Sequence, residues 1–435
     1  MKKLICLGIV GGLLAAGASQ PSFAESSFEF RSSAVKTSSE VITLGDVVKK
    51  VSSANYLVLE NAQKVYQAKE AIAVARGNLL PKLNLWKIIT MPLTLLGALA
   101  GAEDVAPFLV PANWMRVEEQ KLLYLAQNES YRALWANEVM TAKTLYVHLM
   151  VDLSLYDHVE KNEEELARIL DIVRARERFG TAKPGGSRNI EVRLLALKED
   201  KRALAVLIAE ESSLLSYIMG FKSDVELVLT PLELPDFETL EPLEYADFEF
   251  RALDTSPEIR QLGHVIKAAD YVKREVTFSF LGVSTMSRGV AGGVFDNLPI
   301  TSGLGFGTGG SMKIVKAQKE ILKIQSRGVE ETLKRRLKLL VDIYNLDLEN
   351  YRNLKRRAEL TQSIVDQLYD RLRFGDPVEA DELVKASENH IDADTAFSGV
   401  KFRIITNEDK LARMIFFGDY SKEPAALEVA KKKDK

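Results

Sequence analysis

The stretch that decides the fold runs from Ala112 to Phe179, ANWMRVEEQKLLYLAQNESYRALWANEVMTAKTLYVHLMVDLSLYDHVEKNEEELARILDIVRARERF, and contains neither glycine nor proline. It ends at Arg176-Glu177-Arg178-Phe179-Gly180, and a close copy of that ending recurs as Arg371-Leu372-Arg373-Phe374-Gly375. At 1.5 Å per residue, one helix over this run would be on the order of 100 Å long, well beyond the ~30 Å helix of an ordinary domain. Periodic patterns longer than about 25 residues belong to coiled coils, membrane spans or helical repeats. Charge along the whole run (Arg116, Glu118, Glu119, Lys121, Arg132, Glu138, Lys143) excludes a membrane span. The stretch therefore predicts one very long helix in a coiled-coil-like assembly, and its recurrence predicts that the helix was built twice. In the second copy, Gly328 marks a point where the helix can kink.

Working outward, the chain repeats itself with a period of roughly 200 residues. Each half opens on an amphipathic helix: Asp46 to Arg76, with Val65, Ala68, Ile72 and Ala75 on one face, and Pro257 to Val276, with Ile259, Leu262, Ile266 and Ala269. A stretch rich in proline, glycine and apolar residues follows, Leu80 to Trp114 and Thr277 to Gly310. Then come the long helix, a turn at Gly180 or Gly375, and a return helix closing at Met219-Gly220 or Phe417-Gly418. Glycine suits the left-handed residue that ends a helix, and arginine suits the negative end of its dipole. The expected organisation is residues 25–220 as first repeat, 221–250 as an acidic connector with Pro231, Pro235 and Pro242, 251–418 as second repeat, and 419–435 as tail.

The N-terminus reads as an export signal over residues 1–24. Lys2 and Lys3 precede apolar Leu4 to Ala18, and Ser22-Phe23-Ala24 is a small-x-small cleavage site. The only cysteine, Cys6, lies inside it, so the mature chain is expected to be unlipidated and free of disulfides. Four histidines without HxxH or HExxH spacing give no metal motif, and no cofactor is expected. His148 and His158 stand about three helical turns apart and read as surface or lumen residues. A net charge of −3 and a pI near 6.0 argue against a nucleic-acid partner.

The two inserts carry a β pattern. Phe278 and Phe280 alternate with Thr277 and Ser279, and Ile300, Ser302, Leu304 and Phe306 alternate with Thr301, Gly303, Gly305 and Gly307. Short period-2 segments around a loop, Arg288 to Asn297, are the signature of membrane-barrel strands. The first insert is less regular. Ile88-Ile89 breaks alternation, Pro92, Pro107 and Pro111 interrupt strands, and Leu93 to Ala100 also reads as an apolar helix. Trp86 and Trp114 bracket it, either as an aromatic belt or as packing residues. Gly305-Phe306-Gly307-Thr308-Gly309-Gly310 fits GxGxxG, but the helix after it is far too long for a dinucleotide-binding βαβ crossover of about 30 residues. The plainer reading is a strand of small residues that ends where the long helix starts. No Ser-His-Asp order, paired-carboxylate pocket or thiol nucleophile stands out, so an enzyme is not expected.

Taken in order, these motifs resemble the TolC-like outer-membrane efflux family. The residues that carry the resemblance are Ala68 to Ala75, Leu79-Leu80-Pro81-Lys82-Leu83, Val110-Pro111-Ala112-Asn113-Trp114, Ser256-Pro257-Glu258-Ile259, and Gly309-Gly310 before Ala317. The two Arg-x-x-x-Gly turns and the closing Met219-Gly220 and Phe417-Gly418 complete it. The resemblance covers nearly the whole mature chain and rests on order and spacing. It implies a mainly α fold with a β-barrel portion: two tandem repeats, long coiled-coil-like helices forming a trimeric α-barrel tunnel, and four strands per subunit in a shared membrane barrel. It further implies residence in the outer membrane with a large periplasmic part. The partners would be its own copies as a homotrimer, outer-membrane lipid, a periplasmic adaptor and an inner-membrane pump, with drugs or proteins as cargo.

By the same resemblance, aspartates after the glycine turn line the closed end of the tunnel. Here Asp381-Glu382-Leu383 after Gly375 is the match, so Asp381 and Glu382 are candidate gate residues, with acidic residues that favour a helix first turn as the plainer account. The first half has Lys183-Pro184-Gly185-Gly186-Ser187 instead, with Glu191 further on, and Leu372 stands near the place of the family's gate tyrosine. Arg176, Gly180, Arg371 and Gly375 are the candidate adaptor-contacting tip, with helix-dipole pairing as the plainer role of the arginines. The alternative to a duct is a periplasmic coiled-coil scaffold derived from this family without a competent barrel, which the irregular first insert favours.

Overall fold

A computed structural model describes residues 38–80, 107–180, 185–223, 225–232, 234–278, 306–374 and 378–422. Its elements in order are β1 (Ser38–Ile42), α1 (Leu44–Ala54), α2 (Tyr56–Gly77), α3 (Pro111–Arg178), α4 (Gly186–Ile218), β2 (Val225–Leu229), α5 (Tyr245–Thr255), α6 (Pro257–Phe278), α7 (Phe306–Phe374) and α8 (Ala380–Met414). Short 3-10 turns at Pro107–Leu109 and Gly418–Ser421 precede α3 and follow α8.

The run without glycine or proline lies in one helix of 68 residues, and its copy is one of 69 whose helical assignment continues through Gly328. Each is on the order of 100 Å long. Pro111 sits at the first position of α3, where its missing N–H costs nothing. Asn113 Nδ2 donates to Pro107 O at 2.8 Å and Trp114 Nε1 to Phe108 O at 2.8 Å, tying the preceding turn to the helix start. Trp114 is half exposed on α3.

Helices of this length bury their apolar faces only against one another. α3 lies against α2, α4, α6 and α8, and α7 against α8, α6 and α5. A central core joins α1, α2, α3 and the end of α4, with Val51, Val58, Tyr131, Trp135, Tyr146 and Met219 among its members. Trp135 Nε1 donates to Ser52 Oγ at 2.9 Å, so the buried indole keeps a partner. A separate core, discussed below, joins the far ends of α3, α4, α7 and α8.

Several boundaries differ from the sequence reading. The opening amphipathic segment is two helices, broken at Asn55. That side chain accepts from Val58 N at 3.0 Å, starting α2, while Nδ2 donates to Ile218 O at 2.9 Å and to Glu138 Oε2 at 3.1 Å. α1 has its own start, a capping box between Thr43 and Asp46. β1 and β2 form a parallel two-stranded sheet in register from Ser38↔Val225 to Ile42↔Leu229, so the acidic connector contains a strand and the start of α5. The Tyr146 hydroxyl donates to Thr230 O at 2.6 Å and lies 3.2 Å from Ile42 O, pinning the sheet to α3.

Thr277 and Phe278 were expected in a strand and are helical, because α6 continues without a breaker. Phe306 to Gly310 is likewise the first turn of α7 and not strand. α8 ends at Met414, before Phe416 takes φ 49°, short of the expected close at Phe417-Gly418. Residues 1–37 with the expected export signal, the rest of both inserts with Trp86, Gly375, and residues 423–435 lie outside the described residues.

Candidate functional site

The two long helices end on matching exposed phenylalanines. Phe179 N donates to Ala175 O at 3.1 Å, Gly180 N to Glu177 O at 3.1 Å, and Gly180 takes φ 70°, the left-handed conformation that the sequence predicted there. Phe179 and Phe374, in matching positions, are 83% and 81% exposed, so each hairpin presents a bare aromatic ring at its end.

Sequence reasoning singled out the arginines and the glycine, yet Glu177 between them closes the turn. α4 begins after Gly185, at φ 106°, with no side chain of its own capping it. Glu177 supplies the cap from α3: Oε1 accepts from Gly185 N at 3.0 Å and Ser187 N at 2.9 Å, and Oε2 from Ser187 Oγ at 2.6 Å. The Ser187 hydroxyl and these amides hold its carboxyl below the usual range, as expected for an anion on a helix N-terminus. The corresponding residue of the second hairpin is Leu372, which is buried in the far core instead. That core packs Leu166, Ile169 and Ile190 of the first hairpin against Val365, Leu368 and Leu383 of the second.

Polar contacts across the two hairpins surround it. Arg176 Nη2 donates to Leu372 O at 2.9 Å, so this arginine is a strut between hairpins. Ser387 Oγ donates to Asn162 Oδ1 at 2.9 Å, and Tyr369 Oη to Glu165 Oε2 at 3.3 Å. Arg193 Nε lies 2.7 Å from Glu388 Oε1, and His158 Nδ1 lies 3.3 Å from Asp394 Oδ2. Burial and the Glu165 carboxylate push the Tyr369 hydroxyl up, so it stays a donor. Further along, Arg403 grips Asp347 with two nitrogens, at 3.1 and 2.9 Å, and clamps α8 to α7.

Of the candidate gate pair, Glu382 lies in the first turn of α8 with its side chain half exposed, and Arg371 Nη1 lies 3.8 Å from Glu382 Oε1. A tip candidate and a gate candidate are thus neighbours in one surface ion pair, worth little in stability. Asp381 is in the same turn, and its side chain is outside the described set, as is Gly375. The GxGxxG run is helical from Phe306 on, which removes the loop that a pyrophosphate would need. Among the described residues no cluster of His, Cys, Asp and Glu is arranged to hold a metal, and no helix is long and apolar enough to cross a membrane.

No protein-family profile matches the chain, and no curated protein matches it. Solved structures do. The Campylobacter jejuni CmeC outer membrane channel aligns with a TM-score of 0.66 at 13% identity, over 90% of this chain and 89% of that one. The Vibrio cholerae outer membrane protein VceC gives 0.65 at 10% identity, over 86% and 96%. The Neisseria gonorrhoeae MtrE outer membrane channel in its open state gives 0.63 at 12% identity, over 86% and 89%. Over nearly the whole of both chains the backbone follows these structures, and the chain has the TolC-like fold of outer-membrane channels.

Proposed function

We propose that this chain is the outer-membrane channel subunit of an export system, assembled as a homotrimer whose long helices form a periplasmic tunnel. The observation that carries this reading is the pair of helices of 68 and 69 residues, each with its return helix, laid out as in channel structures over nearly the full length of both chains. An unpartnered seam supports the assembly. Leu339, Leu346 and Leu360 on α7 are exposed at seven-residue or doubled seven-residue spacing, with Ile364 one turn on, and Val192 and Val206 are exposed on α4. Heptad-spaced apolar residues are what a neighbouring coiled-coil helix covers.

In this reading the two inserts between the opening helices and the long helices supply the strands of a shared barrel. The tip around Arg176, Gly180, Arg371 and Gly375 meets a periplasmic adaptor that links the duct to an inner-membrane pump, and Asp381 and Glu382 form a threefold acidic ring that favours cations. The test is to fractionate cells and size the mature chain in detergent. A trimer in the outer-membrane fraction is expected, whereas a soluble periplasmic monomer overturns the reading in favour of the scaffold. Planar-bilayer recordings of Asp381→Asn with Glu382→Gln then address the ring: reduced cation selectivity with an intact trimer is expected, and unchanged selectivity reduces the two acids to helix N-terminal residues.

A further inference from the structure

We propose that Asp152 of α3 and Glu211 of α4 share one proton and act as a pH-sensitive clasp between the two helices of the first hairpin. The inference concerns the hairpin itself and stands whether or not the chain forms a duct.

Asp152 and Glu211 come together where α3 packs on α4, each carboxyl close enough to act on the other. Ionised carboxylates are acceptors only, so a bond between two of them requires a proton on one. Glu211 Oε2 is sealed from solvent and no donor reaches it, which leaves an ionised Glu211 with a buried, uncompensated charge.

The surrounding charges do not relieve it. On α3, His148 stands one turn before Asp152 at the exposed surface and acts on Asp152 alone. On α4, Glu210 beside Glu211 points to solvent. α1 reaches α3 through Val47 and Val51, and its lysines are engaged elsewhere, Lys49 with Asp46 and Lys50 with Glu40. α8 crosses α3 between the Lys143–Asp409 and His158–Asp394 pairs. Its charges there are also committed: Arg403 to Asp347, and Lys401 over the Phe397 ring at 4.0 Å.

The direction of the pH effect follows. Burial, then the charge of Asp152, then the shared bond push the Glu211 carboxyl up to about 7, and burial raises Asp152 as well. A carboxyl raised on folding stabilises the folded state in full below its unfolded value, near 4.5, and loses that contribution as pH rises through its folded value. The clasp is closed on the acid side of neutrality. Above about 7 both carboxylates are charged, and they push the middle of α3 and α4 apart. Two carboxyls coupled this way titrate as a pair.

The experiment uses the full chain with two substitutions, Glu211→Gln and Asp152→Asn. An amide at position 211 donates a permanent hydrogen to Asp152, so the clasp stays closed at every pH. Hydrogen-exchange protection of residues 149–156 and 207–215, corrected for intrinsic rates, is expected to fall about tenfold in the parent between about pH 6 and pH 8 and to stay flat in Glu211→Gln. Infrared difference spectra at about pH 6 are expected to show a protonated-carboxyl band in the parent that each substitution removes. An unchanged pH slope in Glu211→Gln, or a parent spectrum without a carboxyl band that vanishes by about pH 9, overturns the proposal. The parent spectrum decides it even if a variant folds poorly.

Discussion

Gly220 and Gly180 take nearly the same left-handed backbone, φ 73° and φ 70°, and differ only in what surrounds them. A Cβ on Gly220 would stand 2.3 Å from Ala54 O and 2.9 Å from Ala54 Cβ, whereas one on Gly180 meets nothing within 4 Å. Gly180→Ala is therefore expected to cost about 1 kcal/mol of backbone strain alone. Gly220→Ala must also move the α1–α2 junction and should cost on the order of 3 kcal/mol. Chemical unfolding of both variants checks the ranking, and equal costs would mean that the junction yields freely. Glu177 gives a second residue-scale expectation. Its carboxyl is lowered, so its cap on α4 is present above the ordinary carboxylate range and is lost as pH falls through the lowered value. Glu177→Gln should thus expose the amides of residues 185–190 to exchange at neutral pH, and acidification should do the same to the parent. A cap of this kind was not legible in the sequence. A glutamate among arginines in a last turn reads as an ordinary salt-bridge former, and only the turn geometry brings Ser187 under it.

At the scale of elements, the first long helix was legible because absence is a strong signal: with no glycine or proline, nothing ends the hydrogen-bond ladder before Gly180, and the second was legible as its copy. Elements made by distant partners were not legible. Ser38 to Ile42 is only five residues long and becomes a strand through pairing with Val225 to Leu229. Asp152 and Glu211 likewise become a pair only when α3 and α4 run antiparallel. The break at Asn55 was hidden because asparagine carries no obligatory turn, and its role comes from binding the far end of α4 at Ile218. Asn55→Ala removes the start of α2 and leaves the Ile218 carbonyl without this donor, so a loss of about 2 kcal/mol is expected. A thermal shift no larger than that of an exposed helix-surface substitution would show that α1 and α2 behave as one rod.

For the whole molecule, the seam on α7 separates folding from assembly. Leu346 is 63% exposed and Leu360 47% in the single chain, so Leu346→Glu with Leu360→Glu should leave the helical content of a monomer intact. In a trimer the same charges are buried against a neighbour and are costly. Sedimentation in detergent is expected to show the parent as a trimer and the variant as a monomer of unchanged circular dichroism. A variant that remains trimeric would move the subunit contact to another face. The order of elements was read from the sequence at this scale because each half repeats it, while the gate and tip roles came through the resemblance alone. Of those, the geometry places Arg176 between the hairpins and Arg371 beside Glu382.

The parallel pairing of β1 with β2 has a consequence for the order in which the chain acquires its structure. Parallel strands need a crossover, and here it consists of α1, α2, α3 and α4 with everything between them. During synthesis from the N-terminus, Ser38 to Ile42 therefore waits without its ladder until the entire first repeat has emerged and turned back. Closing so long a loop is entropically costly and slow, so the sheet forms late, after helices that need only local contacts. The small sheet thus acts as a latch on a finished repeat, and a chain cut short before Val225 would keep its helices but leave an open strand edge.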